Sequence, residues 1–225
     1  MISAVVPIKS FASAKTRLGG KLDTAQRASL ARASATRVLI AISQCAAIDQ
    51  RIAVVEDDET ASLARSLRFE TLLRPDLGGQ SAAVEAGFGQ ARRDGADTVL
   101  TISADVPLTR PEDVDALLGP ASPILVMVSN LAGEGTNSLR LSPAQPFRLH
   151  FGPGSLEQHR REAERLGLPV VVLEHPRLRI DIDSPEDLKA LEKSGEDGRQ
   201  VLVEAVRYRR QLAREQEGAA RSPRS

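Results

Sequence analysis

The chain has 225 residues and 41% hydrophobic content, enough for one α/β domain with a sizeable core. Lys plus Arg (30) balance Asp plus Glu (30), and aromatic residues make up only 3%, which argues against a nucleic-acid-binding surface. The single cysteine, Cys45, excludes an internal disulfide and a cysteine-rich metal site. It lies in an apolar helical stretch and reads as a core residue rather than a nucleophile. No apolar run approaches the roughly 20 residues that a membrane span needs. The first residues read as a strand with no basic region ahead of it, so no signal peptide and a cytoplasmic location are expected.

The elements alternate along the chain. Ile2 to Pro7 reads as a buried strand, followed by a basic loop to about Gly20. Asp23 to Cys45 fits a long helix, and Arg51 to Glu56 a second strand. A helix over Asp57 to Leu67, with Asp57 or Asp58 as its N-cap, leads to a short strand at Glu70 to Leu73. The turn from Pro75 through Asp76 and Leu77 to Gly79 enters a helix over Ser81 to Arg93. Asp97 to Ser103 is a fourth strand, and Pro111 to Leu118 a short helix with Pro at its start. Strands are predicted over Ile124 to Ser129, Ser138 to Leu141, Pro169 to Leu173 and Leu178 to Ile182, with a helix over Gly154 to Leu166. Ser184 opens a further helix with a capping box reaching Asp187. This alternation predicts a mostly parallel sheet with helices on both faces. Beyond Lys193 the composition changes. Val201, Leu202, Ala205, Val206 and Leu212 suit one amphipathic helix, a surface on which a homodimer could form, and Gly218 to Ser225 reads as a disordered tail. The expected division is 1–192 for the main domain and 193–225 for this helix and tail.

In open α/β sheets ligands sit beyond the carboxyl ends of the strands. The loop after the first strand carries Lys9, Lys15 and Arg17 among small residues, a combination that suits nucleotide phosphates and equally describes a solvated basic face. It is neither a P-loop nor a dinucleotide fingerprint. Asp105 follows the fourth strand, where a carboxylate suits Mg²⁺ or caps a turn before Pro107. Asp181 and Asp183 flank one apolar residue, so strand geometry would put both on one side and favour a shared cation; Asp183 also qualifies as a helix cap. Gly133 to Asn137 and Phe151 to Ser155 are Gly-rich, and the second enters a helix whose N-terminus suits an anion; both read equally as tight turns. His159 reads as an anion contact or a satisfied surface histidine.

Five motifs occur in order: Pro7-x-Lys9 with Ala14-Lys15-Thr16-Arg17-Leu18; Ala104-Asp105-Val106-Pro107; Gly135-Thr136-Asn137-x-Leu139; Phe151-Gly152-x-Gly154-Ser155-x-x-x-His159; and Asp181-Ile182-Asp183-Ser184-Pro185-Glu186-Asp187-Leu188. Together they resemble the guanylyltransferase family of coenzyme F-420 biosynthesis, over residues 2 to 192. The resemblance implies a three-layer, Rossmann-like nucleotidyltransferase fold of the nucleotide-diphospho-sugar transferase type, with GTP and Mg²⁺. It implies an acceptor that is 2-phospho-L-lactate, phosphoenolpyruvate or 3-phospho-D-glycerate. By position, Lys9, Lys15 and Arg17 would meet the nucleotide's phosphates. Asp105, Asp181 and Asp183 would bind Mg²⁺, and Thr136, Gly152 and Ser155 would cradle the acceptor. Ser81 stands where the family carries an Asn near the base or ribose. Transfer to a molybdopterin or a sugar phosphate, and a non-catalytic nucleotide-binding role, are the alternative readings.

Overall fold

The protein is described from a computed structural model covering residues 1–75, 78–119 and 125–221. Asp76 and Leu77 of the predicted turn, the expected strand start at Ile124 and the tail residues 222–225 lie outside the described residues, as does the side chain of Leu212.

Seven strands form one sheet: β1 (Ile2–Ile8), β2 (Gln50–Val55), β3 (Glu70–Leu73), β4 (Thr98–Ile102), β5 (Leu125–Ser129), β6 (Thr136–Leu141) and β7 (Val170–Val172). Their spatial order is β3-β2-β1-β4-β6-β5-β7. All neighbours pair in parallel except β6, which runs antiparallel to both β4 and β5.

The apolar runs reflect burial on both faces. Ala4, Val6 and Ile8 of β1 pack with α1 (Thr24–Gln44), α2 (Asp58–Ser66) and α4 (Pro111–Leu118). The intervening Val5 joins the opposite layer with α3 (Gln80–Arg93) and α5 (Ser155–Leu166). The same alternation recurs in β2, where Ala53 and Val55 face one layer and Ile52 and Val54 the other. Gly87 lets α3 approach the sheet closely, since a Cβ there would stand 2.3 Å from Val5 Cγ1. Helix starts follow local capping: Asp23, Asp57 and Ser184 each accept a hydrogen bond from the third helical residue's N–H.

Three expectations are corrected. Leu178 to Ile182 is not a strand. It belongs to an irregular segment whose bonds go to a turn and to neighbouring loops, including Ile182 N–H to the Asp105 carbonyl at 3.1 Å. The C-terminal helix α7 is longer than read, Glu196–Arg221, and takes in Gly218 to Arg221, expected to be disordered. With α6 (Pro185–Lys193) it closes a third core in which Val201 and Ala205 meet Leu18, Leu30, Leu108, Ile182 and Leu191. Ion pairs Arg37–Glu204 (3.0 Å) and Arg110–Asp197 (2.5 Å) bind α7 to the body. The third correction concerns His159, which is fully buried rather than at the surface.

Candidate active site

Strand order reverses between β1 and β4, the position where open sheets leave a crevice at their carboxyl ends. The loops after these two strands frame a cleft of about 280 Å³. Lys9, Lys15, Asp105 and Asp183 line it, together with Glu56, Gly79, Gln80 and Ser103. Pro7, Phe11, Val54 and Ala83 supply apolar wall.

The basic loop is built, not loose. Two 3₁₀ turns, Phe11–Ser13 and Thr16–Leu18, insert Phe11 and Leu18 into the core. Between the turns Lys15 takes the left-handed conformation (φ 55°, ψ 40°), uncommon for a residue with a Cβ. Its ammonium donates to the Ile182 carbonyl at 2.5 Å and so ties this loop to the segment carrying Asp181 and Asp183. Glu56, at the end of β2, accepts from Ser10 N–H at 2.9 Å and fixes the start of the loop.

Asp105, Asp181 and Asp183 offer carboxylate oxygens that all lie within 4.8 Å of one another. Burial, then the charge of Asp105, pushes the Asp181 carboxyl from 3.8 up to about 7. Burial and Asp105 also raise Asp183, while the charges of Lys15 and Arg17 pull it back. Asp105 Oδ1 is buried without a hydrogen-bond partner among the described residues. An orphaned carboxylate oxygen facing two others is costly without a cation, and a hard-oxygen donor set suits a divalent one.

The segment bearing Asp181 and Asp183 is anchored on all sides. Arg177 grips the fully buried Asp113 of α4, with Nε 2.8 Å from Oδ2. His175 Nε2 stands 3.3 Å from the same carboxylate, and Arg179 pairs with Glu174 at 2.9 Å. Leu178 is fully buried, and its carbonyl accepts from Asn137 Nδ2 at 3.0 Å.

Thr136 and Ser155 come together where β6 and α5 begin. The Ser155 hydroxyl accepts from Thr136 N–H at 2.8 Å, and Thr136 Oγ1 meets His159 Nδ1 at 3.0 Å. His159 Nε2 accepts from His150 N–H at 2.8 Å, so the proton sits on Nδ1 and the ring is neutral. Burial, then the nearby His150, lowers its pKa to about 4. Gly152 and Gly154 turn the chain into α5 with φ of 127° and 69°. Ser81 accepts from Phe151 N–H at 2.8 Å, linking α3 to this turn. Arg17, Ser81, Thr136, Gly152, Ser155 and Asp181 are not among the cleft walls. Glu56 and Asn137 also belong to the site without being expected there: Glu56 follows β2 as Asp105 follows β4, and Asn137 lies within the Gly135-Thr136-Asn137 motif.

The fold matches solved structures of the nucleotidyltransferase type. A protein of Desulfovibrio desulfuricans G20 assigned as a nucleotide-diphospho-sugar transferase superposes with a TM-score of 0.72 at 17% identity, over 95% of this chain and 97% of that one. The chain belongs to the CofC-like guanylyl transferase family, whose model matches residues 2–216. It is 40% identical over 196 residues to a phosphoenolpyruvate guanylyltransferase of Rubrobacter xylanophilus, covering 86% of this chain and 95% of the relative. It is 31% identical over 193 residues to a 2-phospho-L-lactate guanylyltransferase of Methanothermobacter thermautotrophicus, covering 86% and 85%. No described helix is long and apolar enough to cross a membrane.

Proposed function

We propose that the protein transfers GMP from GTP to a phosphorylated three-carbon acid in coenzyme F-420 biosynthesis, acting on small molecules in the cytoplasm. Phosphoenolpyruvate and 2-phospho-L-lactate are acceptors named for its relatives, and 3-phospho-D-glycerate is the third candidate. The observation that carries this reading is the meeting of three carboxylates with the Lys15 loop at the switch point of the sheet.

An oxygen of the acceptor's phosphate attacks the α-phosphorus of GTP. The bond from that phosphorus to the bridging oxygen breaks, and pyrophosphate leaves with the electron pair. The attacking oxygen is already ionised near neutral pH, so no general base is needed. Lys9, Lys15 and Arg17 hold the triphosphate and offset charge as it moves to the leaving group. Gly79 to Ser81 edge the nucleoside end, while Thr136, Gly152 and Ser155 seat the acceptor. Asp105, Asp181 and Asp183 would hold Mg²⁺, which when bound neutralises phosphate charge and aligns the two substrates. Residues 1–192 contain every group given a role, and α7 packs on Leu18 and Ile182, next to two of the loops that carry them.

Pyrophosphate release from GTP, measured with the three acceptors side by side, tests the reading. One acceptor should support turnover with GTP and Mg²⁺. Release with none of them, or equally with every nucleoside triphosphate, would overturn it.

A further inference from the structure

Asn137 lies on β6 with only 4% of its surface exposed, and the reaction above gives it no part. Its amide has two donor hydrogens. Nδ2 lies 3.0 Å from the Leu178 carbonyl and 3.3 Å from Asp181 Oδ1. Both acceptors belong to the same irregular segment, one at its base and one on the carboxylate itself. A single rigid side chain on a central strand therefore sets both the path of the segment and the rotation of the Asp181 carboxyl.

The donor type matters. Arg or Lys at this place would also hold Asp181, but would neutralise it and compete with a cation. A neutral amide orients the carboxylate while leaving its charge intact. It engages one oxygen and leaves Oδ2 for an ion. We propose that Asn137 is a positioning residue of the carboxylate site, holding Asp181 in the orientation that a divalent cation requires. This rests on the reading that Asp105, Asp181 and Asp183 bind such a cation. Groups that orient metal ligands from behind typically change metal affinity by about 10- to 100-fold when removed.

The test uses the full chain and Mn²⁺ alone, with free Mn²⁺ read by electron paramagnetic resonance and folding checked by thermal melting. Asn137→Leu keeps the branched shape of the side chain and removes the donor. Its Mn²⁺ affinity should fall about 10- to 100-fold, as should that of Asn137→Ala. In an Asp181→Asn background, Asn137→Leu should lower Mn²⁺ affinity by a clearly smaller factor, because the larger part of its effect runs through Asp181 and only the bond to Leu178 remains to be lost. Folded Asn137→Leu protein with wild-type Mn²⁺ affinity would overturn the positioning role, as would an unreduced effect in the Asp181→Asn background. Failure of the wild type to bind Mn²⁺ would instead overturn the reading of the site itself. If Asn137→Leu does not fold, Asn137→Ser, which retains a shorter donor, takes its place and should lose affinity by a smaller factor than Asn137→Ala.

Discussion

Asp181→Asn should make the metal-free protein more stable at alkaline pH. Burial and Asp105 raise the Asp181 carboxyl from 3.8 to about 7 in the folded chain. Between these values the folded state keeps a proton that the unfolded chain has released, so stability falls as pH rises through this window. Above about pH 7 the full penalty applies. A difference of about 3 pK at about 1.4 kcal/mol each gives about 4 kcal/mol. Asparagine removes this charge but weakens the bond from Asn137, which returns about 1 kcal/mol. The net gain is about 3 kcal/mol at pH 8, or about 6–12 °C in melting temperature for a chain of this size. At pH 4 the gain should vanish. Melting curves of both proteins in EDTA at pH 4, 6 and 8 measure it. Repeating them with Mg²⁺ should reverse the order, since a cation binding only the folded state stabilises the wild type most. A variant no more stable than the wild type at pH 8 in EDTA, or equally stabilised at pH 4, would refute the reasoning.

Lys15→Ala should lower kcat/KM for pyrophosphate release by about 10²- to 10³-fold, the loss typical of one donor aimed at developing charge. Activity within threefold of wild type would remove Lys15 from the proposed mechanism. His159→Gln should flatten the acid limb of stability. The folded imidazole has its pKa lowered from 6.5 to about 4, so the unfolded chain takes up a proton that the folded one refuses. The wild type therefore holds this contribution above pH 6.5 and loses about 3 kcal/mol by pH 4. Urea unfolding at pH 7 and 4.5 compares the two proteins, and an identical acid loss in both would count against a neutral, buried His159.

Much of the fold is legible along the chain because its causes are local. Asp57 and Ser184 announce helix starts, since a cap bonds within three residues. The run Ile2 to Ile8 announces a strand covered on both faces. Lys15 and Asp105 follow the first and fourth strands, where ligands of open sheets sit. The misreadings share a cause of the opposite kind. Leu178 to Ile182 has the alternating pattern of a strand, yet its backbone bonds to Asp105 and Asn137, and the side-chain clamp from Arg177 to Asp113 holds the residue before it. The tail's glycine and charges suggest disorder, yet α7 runs through Gly218 to Arg221, after its earlier turns have packed against the core of Leu18, Leu30 and Leu191.

The sequence by itself determined the α-helices, all seven strands apart from one segment misread as an eighth, and the residue types at the strand ends. Only the tertiary structure decided that β6 runs against its neighbours. It showed Asp105 meeting Asp181 and Asp183, which the chain itself grouped only through a family resemblance, and placed Asn137 against Asp181. Periodicity and capping act over a few residues, whereas convergence depends on the order of strands in the sheet. That order is set by packing between segments distant in sequence, which no local pattern records.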